Sequence, residues 1–365
     1  MTERNPRLIG RVLTAFALTA SLSAVASGTD VAAAGAGVCA LGEGELTIGD
    51  LPAGSSVVLC NAVGRVVTYD GTGVTVPEPG MAVSIDMLTT DGESHGFTLE
   101  VGDDGRVSYN LDDANPDSST AGYDRPDPLA NTVDPAVDVP EQDAVADPSD
   151  PSDGAEVADT DALRAPGACS DGAYKTADLK EYGTYNWYIG DDGMPGGLSR
   201  TNAKWAIYDA IDNITDSYNN CGYGDSVGAK ANFLSETGRE ASISKTGRCT
   251  GNDGVSVWDA GNIKDSAVAT TCSYSWPMPG VKNDLREADV RFNTYDYDFT
   301  NKPTSSCLNK YDIRSVATHE AGHVFGLSHV GDGHENLTMF TDSFLCTTKA
   351  RTLGKGDVLG LRSIY

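Results

Sequence analysis

Basic residues are scarce in this chain. Only 26 Lys and Arg stand against 53 Asp and Glu among 365 residues, which gives a formal net charge of −27 and a pI near 4.3. A free-standing nucleic-acid-binding protein is not expected, because phosphate contacts need clustered Lys and Arg. Long apolar runs are missing after the N-terminus, so the sequence predicts no membrane span there.

Closely spaced cysteine pairs are also missing. The eight cysteines contain no Cys-x-x-Cys, which disfavours zinc knuckles and thioredoxin-type redox sites and favours disulfides in an oxidising compartment. Cys39 and Cys60 precede an acidic stretch and are expected to pair with each other. The other six cysteines follow that stretch, and their 15 possible pairings stay open.

The N-terminus has the pattern of an export signal. Arg4, Arg7 and Arg11 precede an apolar stretch over residues 12–25, and small residues follow it. This order predicts a secretory signal peptide over residues 1–34, cleaved near residue 26 or residue 34. The protein is therefore expected to be secreted and extracellular.

Residues 35–110 predict a small all-β unit. Short β-rich runs at 55–59, 64–69, 82–85 and 97–101 are separated by Gly, Asp and Pro turns at roughly ten-residue spacing. The predicted Cys39–Cys60 disulfide would stabilise this unit.

An acidic segment follows over residues 111–165. It holds 15 Asp and Glu and 2 Arg, a net charge of −13, with few bulky apolar residues. Such a composition cannot bury enough surface to offset its ordering entropy, so we predict a disordered linker. Two interpretations of residues 35–110 remain open: a propeptide removed near Arg164-Ala165, which the exposed linker favours, or a permanent module that binds a partner or surface.

The composition of residues 166–365 is typical of a globular α+β domain. Hydrophobic spacing predicts helices at 199–219, 312–327 and 356–365. The sequence also predicts five strands, at 185–189, 231–234, 254–258, 267–274 and 288–295.

One motif in the second helix carries metal chemistry. His319 and His323 are four residues apart, so they project from one face of a helix and can share a metal ion. Glu320 is placed to take a proton from a metal-bound water. Gly326 can end the helix in a left-handed turn that returns His329 as a third ligand and leaves one zinc position open.

Two alternatives compete with this interpretation. His334 is the nearest other candidate for the third ligand, although it lies in a polar, Gly-containing loop. The second alternative is a secreted binding protein with a structural zinc site and no proteolytic activity. The presence of Glu320 argues against that second alternative, because a closed structural site has no use for a base.

The stretch from His319 to His329 matches the extended zinc signature of the metzincin metalloproteases, and within that clan the chain resembles the matrixin family. The resemblance covers roughly Cys169 to Tyr365 and leaves out the N-terminal β unit. A metzincin of another family fits less well. The supporting stretches are Trp187-Tyr188-Ile189 with the helix that follows it, 287–293, 315–320 and 353–365.

This resemblance implies a metzincin catalytic domain over residues 166–365, with a twisted mixed sheet, an active-site helix and a C-terminal helix. It implies a secreted, monomeric zinc endopeptidase that hydrolyses peptide bonds in extracellular proteins, the extracellular matrix included. Met339, ten residues after His329, stands where the family has a Met in a tight turn beneath the metal; that Met packs and does not ligate.

The resemblance also carries expectations about substrate and regulation. A substrate would lie extended beside an edge strand, with 267–272 as the candidate, and residues 340–344 would line the adjoining pocket. Structural calcium is implied as well; the turns at 191–193 and 252–254 offer oxygen atoms, and no ligands are assigned. The chain lacks the family's propeptide Pro-Arg-Cys-Gly, so latency through a cysteine on the metal is not expected.

Overall fold

The computed structural model describes residue 39 and residues 41–111, 166–191, 193–264, 266–342 and 345–365. The predicted signal peptide, the predicted linker after residue 111 and the cleavage position at Arg164-Ala165 lie outside the described residues. So does Asp192, one residue of the two turns considered for calcium.

Helices and strands occur in an order that fits an α+β chain. The described helices are α1 (Arg200–Thr215), α2 (Ile313–Val324) and α3 (Lys355–Ile364). The N-terminal strands are β1 (Leu46–Thr47), β2 (Val66–Tyr69), β3 (Thr72–Thr75), β4 (Met81–Thr89), β5 (His95–Val101) and β6 (Val107–Leu111). The later strands are β7 (Lys175–Thr176), β8 (Leu179–Lys180), β9 (Tyr185–Ile189), β10 (Ala231–Glu236), β11 (Arg248–Cys249), β12 (Ser256–Gly261), β13 (Ala267–Trp276), β14 (Asn283–Asn293), β15 (Asp298–Thr300), β16 (Lys310–Asp312) and β17 (Leu327–Ser328).

A nine-stranded mixed sheet dominates the fold. Its strands follow the order β10-β9-β12-β14-β13-β4-β5-β6, and β8 also pairs with β14. The first four strands of that order are mutually parallel, whereas β13 runs antiparallel to β14. Strands β4, β5 and β6 form an antiparallel meander that continues the sheet beyond β13. Residues from both halves of the chain therefore share one sheet.

Helices α1 and α2 pack against each other, and α2 also contacts β13. The predicted apolar stripe of α1 is buried, and Ser199 caps the start of this helix by accepting a hydrogen bond from the Asn202 amide at 3.3 Å. At the start of α2, the Asp312 carboxylate accepts the Ser315 amide at 2.9 Å. Every residue of α2 except Arg314 is buried, so its polar residues Ser315 and Thr318 face protein as well.

The N-terminal residues form strands and turns, but a separate all-β unit is not confirmed. Besides β4 in the large sheet, β3 pairs with β11 in a second, four-stranded sheet of order β1-β2-β3-β11. The hydrophobic cluster around β2–β5 includes Ile243, Ile263 and Tyr274 from the later part of the chain. Residues 39–111 thus complete their core with residues from beyond the predicted linker.

The predicted strand at 55–59 is wrong. These residues form turns, closed by hydrogen bonds such as that from the Ala62 amide to the Val57 carbonyl at 2.8 Å. Val57 is buried, whereas Val58 and Leu59 are exposed. Only Val57 of this apolar run therefore packs into the protein, and the run does not form the buried face of a strand.

All eight cysteines are paired, and the predicted Cys39–Cys60 disulfide is confirmed. The other bonds join Cys169 to Cys221, Cys249 to Cys272, and Cys307 to Cys346. The Cys249–Cys272 bond links β11 to β13. These are the two strands with which the N-terminal strands β3 and β4 pair. Across the described residues, no helix has the length and apolar character needed to cross a membrane.

Candidate metal centre

Helix α2 and the turn after it bring three histidines together. The Nε2 atoms of His319, His323 and His329 lie 3.0–3.1 Å from one another, and all three side chains are buried. Within the described ranges, this is the only group of three or more His, Cys, Asp or Glu side chains close enough to hold a metal ion.

The geometry of this group fits zinc. Zinc–nitrogen bonds of about 2.0–2.1 Å in a tetrahedral site put the ligand nitrogens about 3.3 Å apart, close to the separation seen here. Burial lowers the pKa of His319 to about 3 and, with the neighbouring histidines, lowers the pKa of His323 well below its usual value. Both imidazoles are therefore neutral at pH 7, which is the form that binds a metal.

Each histidine is oriented by a partner at its other ring nitrogen, Nδ1. Nδ1 of His319 contacts the Thr338 carbonyl at 2.8 Å, and Nδ1 of His323 contacts the Leu327 carbonyl at 3.1 Å. Nδ1 of His329 lies 3.0 Å from the Ser94 hydroxyl, which belongs to the N-terminal half of the chain. Such contacts at Nδ1 orient each ring so that its Nε2 atom faces the other two, as a shared metal ion requires.

Gly326 makes the return of His329 possible. Helix α2 ends at Val324, and Gly326 has a φ of +89°, in the left-handed region where a side chain would be strained. A Cβ at this position would also collide with the Leu179 carbonyl oxygen. The turn predicted from the sequence is therefore present.

His334, the competing candidate, lies elsewhere. Its Nδ1 atom is 2.9 Å from an Asp171 carboxylate oxygen, and the residue is not a member of the three-histidine group.

Glu320 has a free carboxylate oxygen inside the protein. Its Oε2 atom accepts a hydrogen bond from the Thr271 hydroxyl at 2.6 Å, while Oε1 is buried without a hydrogen-bond partner. Burial raises the pKa of Glu320 to about 8; the Thr271 hydrogen bond opposes this shift, and the nearby Asp86 carboxylate adds to it. A cation held by the three histidines would favour the ionised form of Glu320, in which the unpartnered Oε1 atom can receive a proton from a water at that cation.

Met339 packs beneath the helix that carries the ligands. It is 2% exposed, and its sulfur lies where a Cβ on Gly322 would have to be. Gly322, the residue directly before His323, therefore lets the Met339 side chain lie against the helix backbone.

Asp357 is a buried residue whose role the sequence analysis missed. Its carboxylate accepts the backbone amides of Thr338 at 2.9 Å, Met339 at 3.2 Å and Gly354 at 2.8 Å. It thereby fixes the Met339 turn and the Thr338 carbonyl that orients His319. The available signal was an Asp three residues after Gly354 at the start of a helix.

We expect Asp357→Ala to destabilise the protein by about 2–5 kcal/mol, because it leaves three amides without their acceptor. Chemical denaturation of metal-loaded protein would measure this loss. Asp104→Ala is the control: Asp104 is exposed and accepts one local amide, so a change below about 1 kcal/mol is expected there. Equal effects of the two substitutions would contradict the assigned role of Asp357.

Strand β4 also reaches the histidines, which the sequence did not predict. The Asp86 Oδ1 atom lies 3.8 Å from Nδ1 of His323. Leu88 is fully buried and lines a small pocket with His319, Leu337 and Thr338. Strand β13, predicted to be an edge strand, is consequently covered on both sides.

Calcium has no support from the described residues. Asn252 and Asp253 each bond a nearby backbone amide, as ordinary turn residues do, and neither belongs to a metal-ligating group.

Comparison with known proteins agrees with the resemblance seen in the sequence. Residues 257–365 match a family model described as Matrixin, a peptidase family, and this segment contains α2, the three histidines, Glu320 and Met339. The match confirms a matrixin-like relationship over these residues. No curated protein matches the chain.

Proposed function

We propose that this protein is a secreted zinc-dependent endopeptidase that hydrolyses peptide bonds in extracellular proteins. The observation that carries the proposal is the convergence of three Nε2 atoms within 3.0–3.1 Å of one another, next to a buried Glu320 oxygen without a partner. The matrixin match over residues 257–365 supports the same chemistry.

The residues have distinct roles in the proposed reaction. Zinc held by His319, His323 and His329 would supply a Lewis acid and lower the pKa of a water toward about 7. Glu320 accepts the proton from that water through Oε1 and delivers it to the nitrogen of the departing amine. Thr271 holds the other oxygen of Glu320 and so orients the carboxylate.

Export and assembly belong to the same proposal. The signal-like residues 1–34 and the four disulfides support secretion, because disulfides persist in oxidising compartments. The proposal includes a monomer, as the family resemblance implies. Residues 35–110 act in this proposal as a propeptide, separated by cleavage near Arg164-Ala165.

The test is proteolysis with and without a metal chelator. We expect the zinc-loaded protein, once separated from residues 35–110, to digest casein, to lose that activity when zinc is removed by 1,10-phenanthroline, and to regain it when zinc is restored, because the proposed reaction needs the metal held by the three histidines. Zinc content measured on the same samples is the control for the metal itself.

The alternative, a binding protein with a structural zinc site, makes the opposite prediction. One zinc ion per chain, together with no cleavage of casein either before or after separation of residues 35–110, would reject the peptidase and favour a structural site.

A further inference from the structure

Strand β13 has the features of a substrate-binding edge, but it is not at an edge. It lies close to the metal centre, because the Thr271 hydroxyl in this strand donates a hydrogen bond to Glu320. The side of β13 that does not pair with β14 pairs with β4. These two strands are antiparallel, from Ala82 opposite Ser275 to Thr89 opposite Ala267. An extended peptide added to a sheet edge is held in the same way, through backbone hydrogen bonds.

Along most of its other side, β4 pairs with β5, from Met81 to Met87. Beyond that pairing, Thr89 bridges in parallel to Asp342, which follows the Met339 turn. The end of β4 therefore lies between β13 and the segment predicted to line the substrate pocket. Because Thr271 lies opposite Asp86, the centre of β4 is at the level of Glu320.

The side chains of β4 divide between two hydrophobic clusters. Successive residues of a strand point to opposite faces. Ile85 and Met87 belong to the cluster of the N-terminal residues, whereas Leu88 belongs to the cluster built by α1, α2 and the strands around them. Among the residues described before position 112, Leu88 alone is in that second cluster.

Two polar side chains from residues 39–111 also lie close to the ligand histidines. Asp86 lies 3.8 Å from His323, and Ser94, in the connection from β4 to β5, lies 3.0 Å from His329. Residues 39–111 thus contribute an extended backbone, an apolar side chain in the pocket and polar contacts at the metal ligands.

We propose that β4 occupies the place of a substrate strand, and that residues 39–111 are an intramolecular inhibitor that uses Leu88 as its anchor in the pocket beside His319. This inference rests on the proposed peptidase function. In this form of inhibition, a strand competes with substrate for β13. In the family's cysteine mechanism, by contrast, a propeptide cysteine occupies the metal.

The contacts explain why such an inhibitor would be stable inside one chain. Strand β3 pairs with β11, and β11 is linked to β13 by the Cys249–Cys272 disulfide. Two strands of the N-terminal half are therefore joined to two covalently linked strands of the other half. Attachment in one chain also keeps the local concentration of β4 high.

The test compares full-length variants that differ at β4. Leu88→Asp places a carboxylate among the buried apolar side chains of the cluster built by α1 and α2, so we expect the initial rate on a fluorogenic peptide to rise at least tenfold over the wild-type chain. Amide hydrogen exchange of residues 267–276 should accelerate by a similar factor, because β13 loses the partner strand. Leu111→Ala in β6, which is separated from β13 by β4 and β5, should change neither quantity.

Leu88→Ala keeps the test decisive if the Asp variant does not fold. It removes side-chain volume without adding charge, and a smaller increase in both rate and exchange is expected. A wild-type chain that cleaves as fast as the folded Leu88 variants would overturn the inference and leave the peptidase function standing.

The remaining outcomes separate the two proposals. Faster exchange at β13 without cleavage, in zinc-loaded Leu88 variants, would support the covering strand and reject the peptidase function. Unchanged exchange and unchanged rate in a folded Leu88→Asp chain would overturn the inhibitor.

Discussion

Glu320→Ala is expected to keep zinc bound and to lower the rate of peptide cleavage by about 10²–10⁴-fold, the usual contribution of a general base. The three imidazoles that hold the metal do not depend on this carboxylate. The proton acceptor, by contrast, is not easily replaced: Thr271 offers only a neutral hydroxyl, and the Asp86 carboxylate lies 3.8 Å from Nδ1 of His323, the nitrogen not assigned to the metal. Casein digestion and zinc content would be measured on the same preparations.

The Glu320 experiment requires an open cleft. It is best done both in the wild-type chain and in the Leu88→Asp chain, so that covering by β4 does not hide the effect. Glu236→Ala is a matched control, since Glu236 is exposed and its partner is Arg200. Casein digestion by Glu320→Ala at the rate of its parent chain would reject Glu320 as the base.

The second large effect concerns the metal itself. His329→Ala should reduce zinc affinity by more than ~100-fold, because loss of a direct ligand exceeds the 10–100-fold cost of losing an outer partner. His334→Ala should keep one zinc per chain, since His334 contacts Asp171 and not the metal group. Zinc content after dialysis against a competing chelator measures both.

A reversed result would be equally clear. If His334→Ala lost zinc while His329→Ala retained it, the ligand set would have to include His334, and the arrangement of the three Nε2 atoms would be wrong. Both variants keep Gly326 and its turn, so the comparison isolates the imidazoles.

Short-range signals made much of the catalytic half predictable. The spacing of His319 and His323 follows from helix geometry alone, and α2 begins one residue after the predicted start and ends three before the predicted end. Gly326 was readable because few residues other than Gly adopt positive φ without strain. Strand β14 was placed at 288–295 and spans Asn283–Asn293, because its buried residues on both faces blur the alternation that defines a strand end.

Long-range pairing could not be predicted. Ser94 and His329 are 235 residues apart, and nothing in the sequence near Ser94 marks it as a neighbour of a metal ligand. Strand β4 carries an ordinary β pattern, which fits a separate unit as well as an added strand of a larger sheet. Asp357 was missed because its partners are backbone amides, which every residue except proline offers.

The contact between Ser94 and His329 has a consequence for biogenesis. In the full-length chain, the third imidazole is oriented by a hydroxyl from the N-terminal residues. Under the proposed removal of those residues, His329 would lose this partner, and the loss of such an outer partner typically lowers metal affinity by about 10–100-fold. The processed protein would therefore release zinc more readily than the full-length chain.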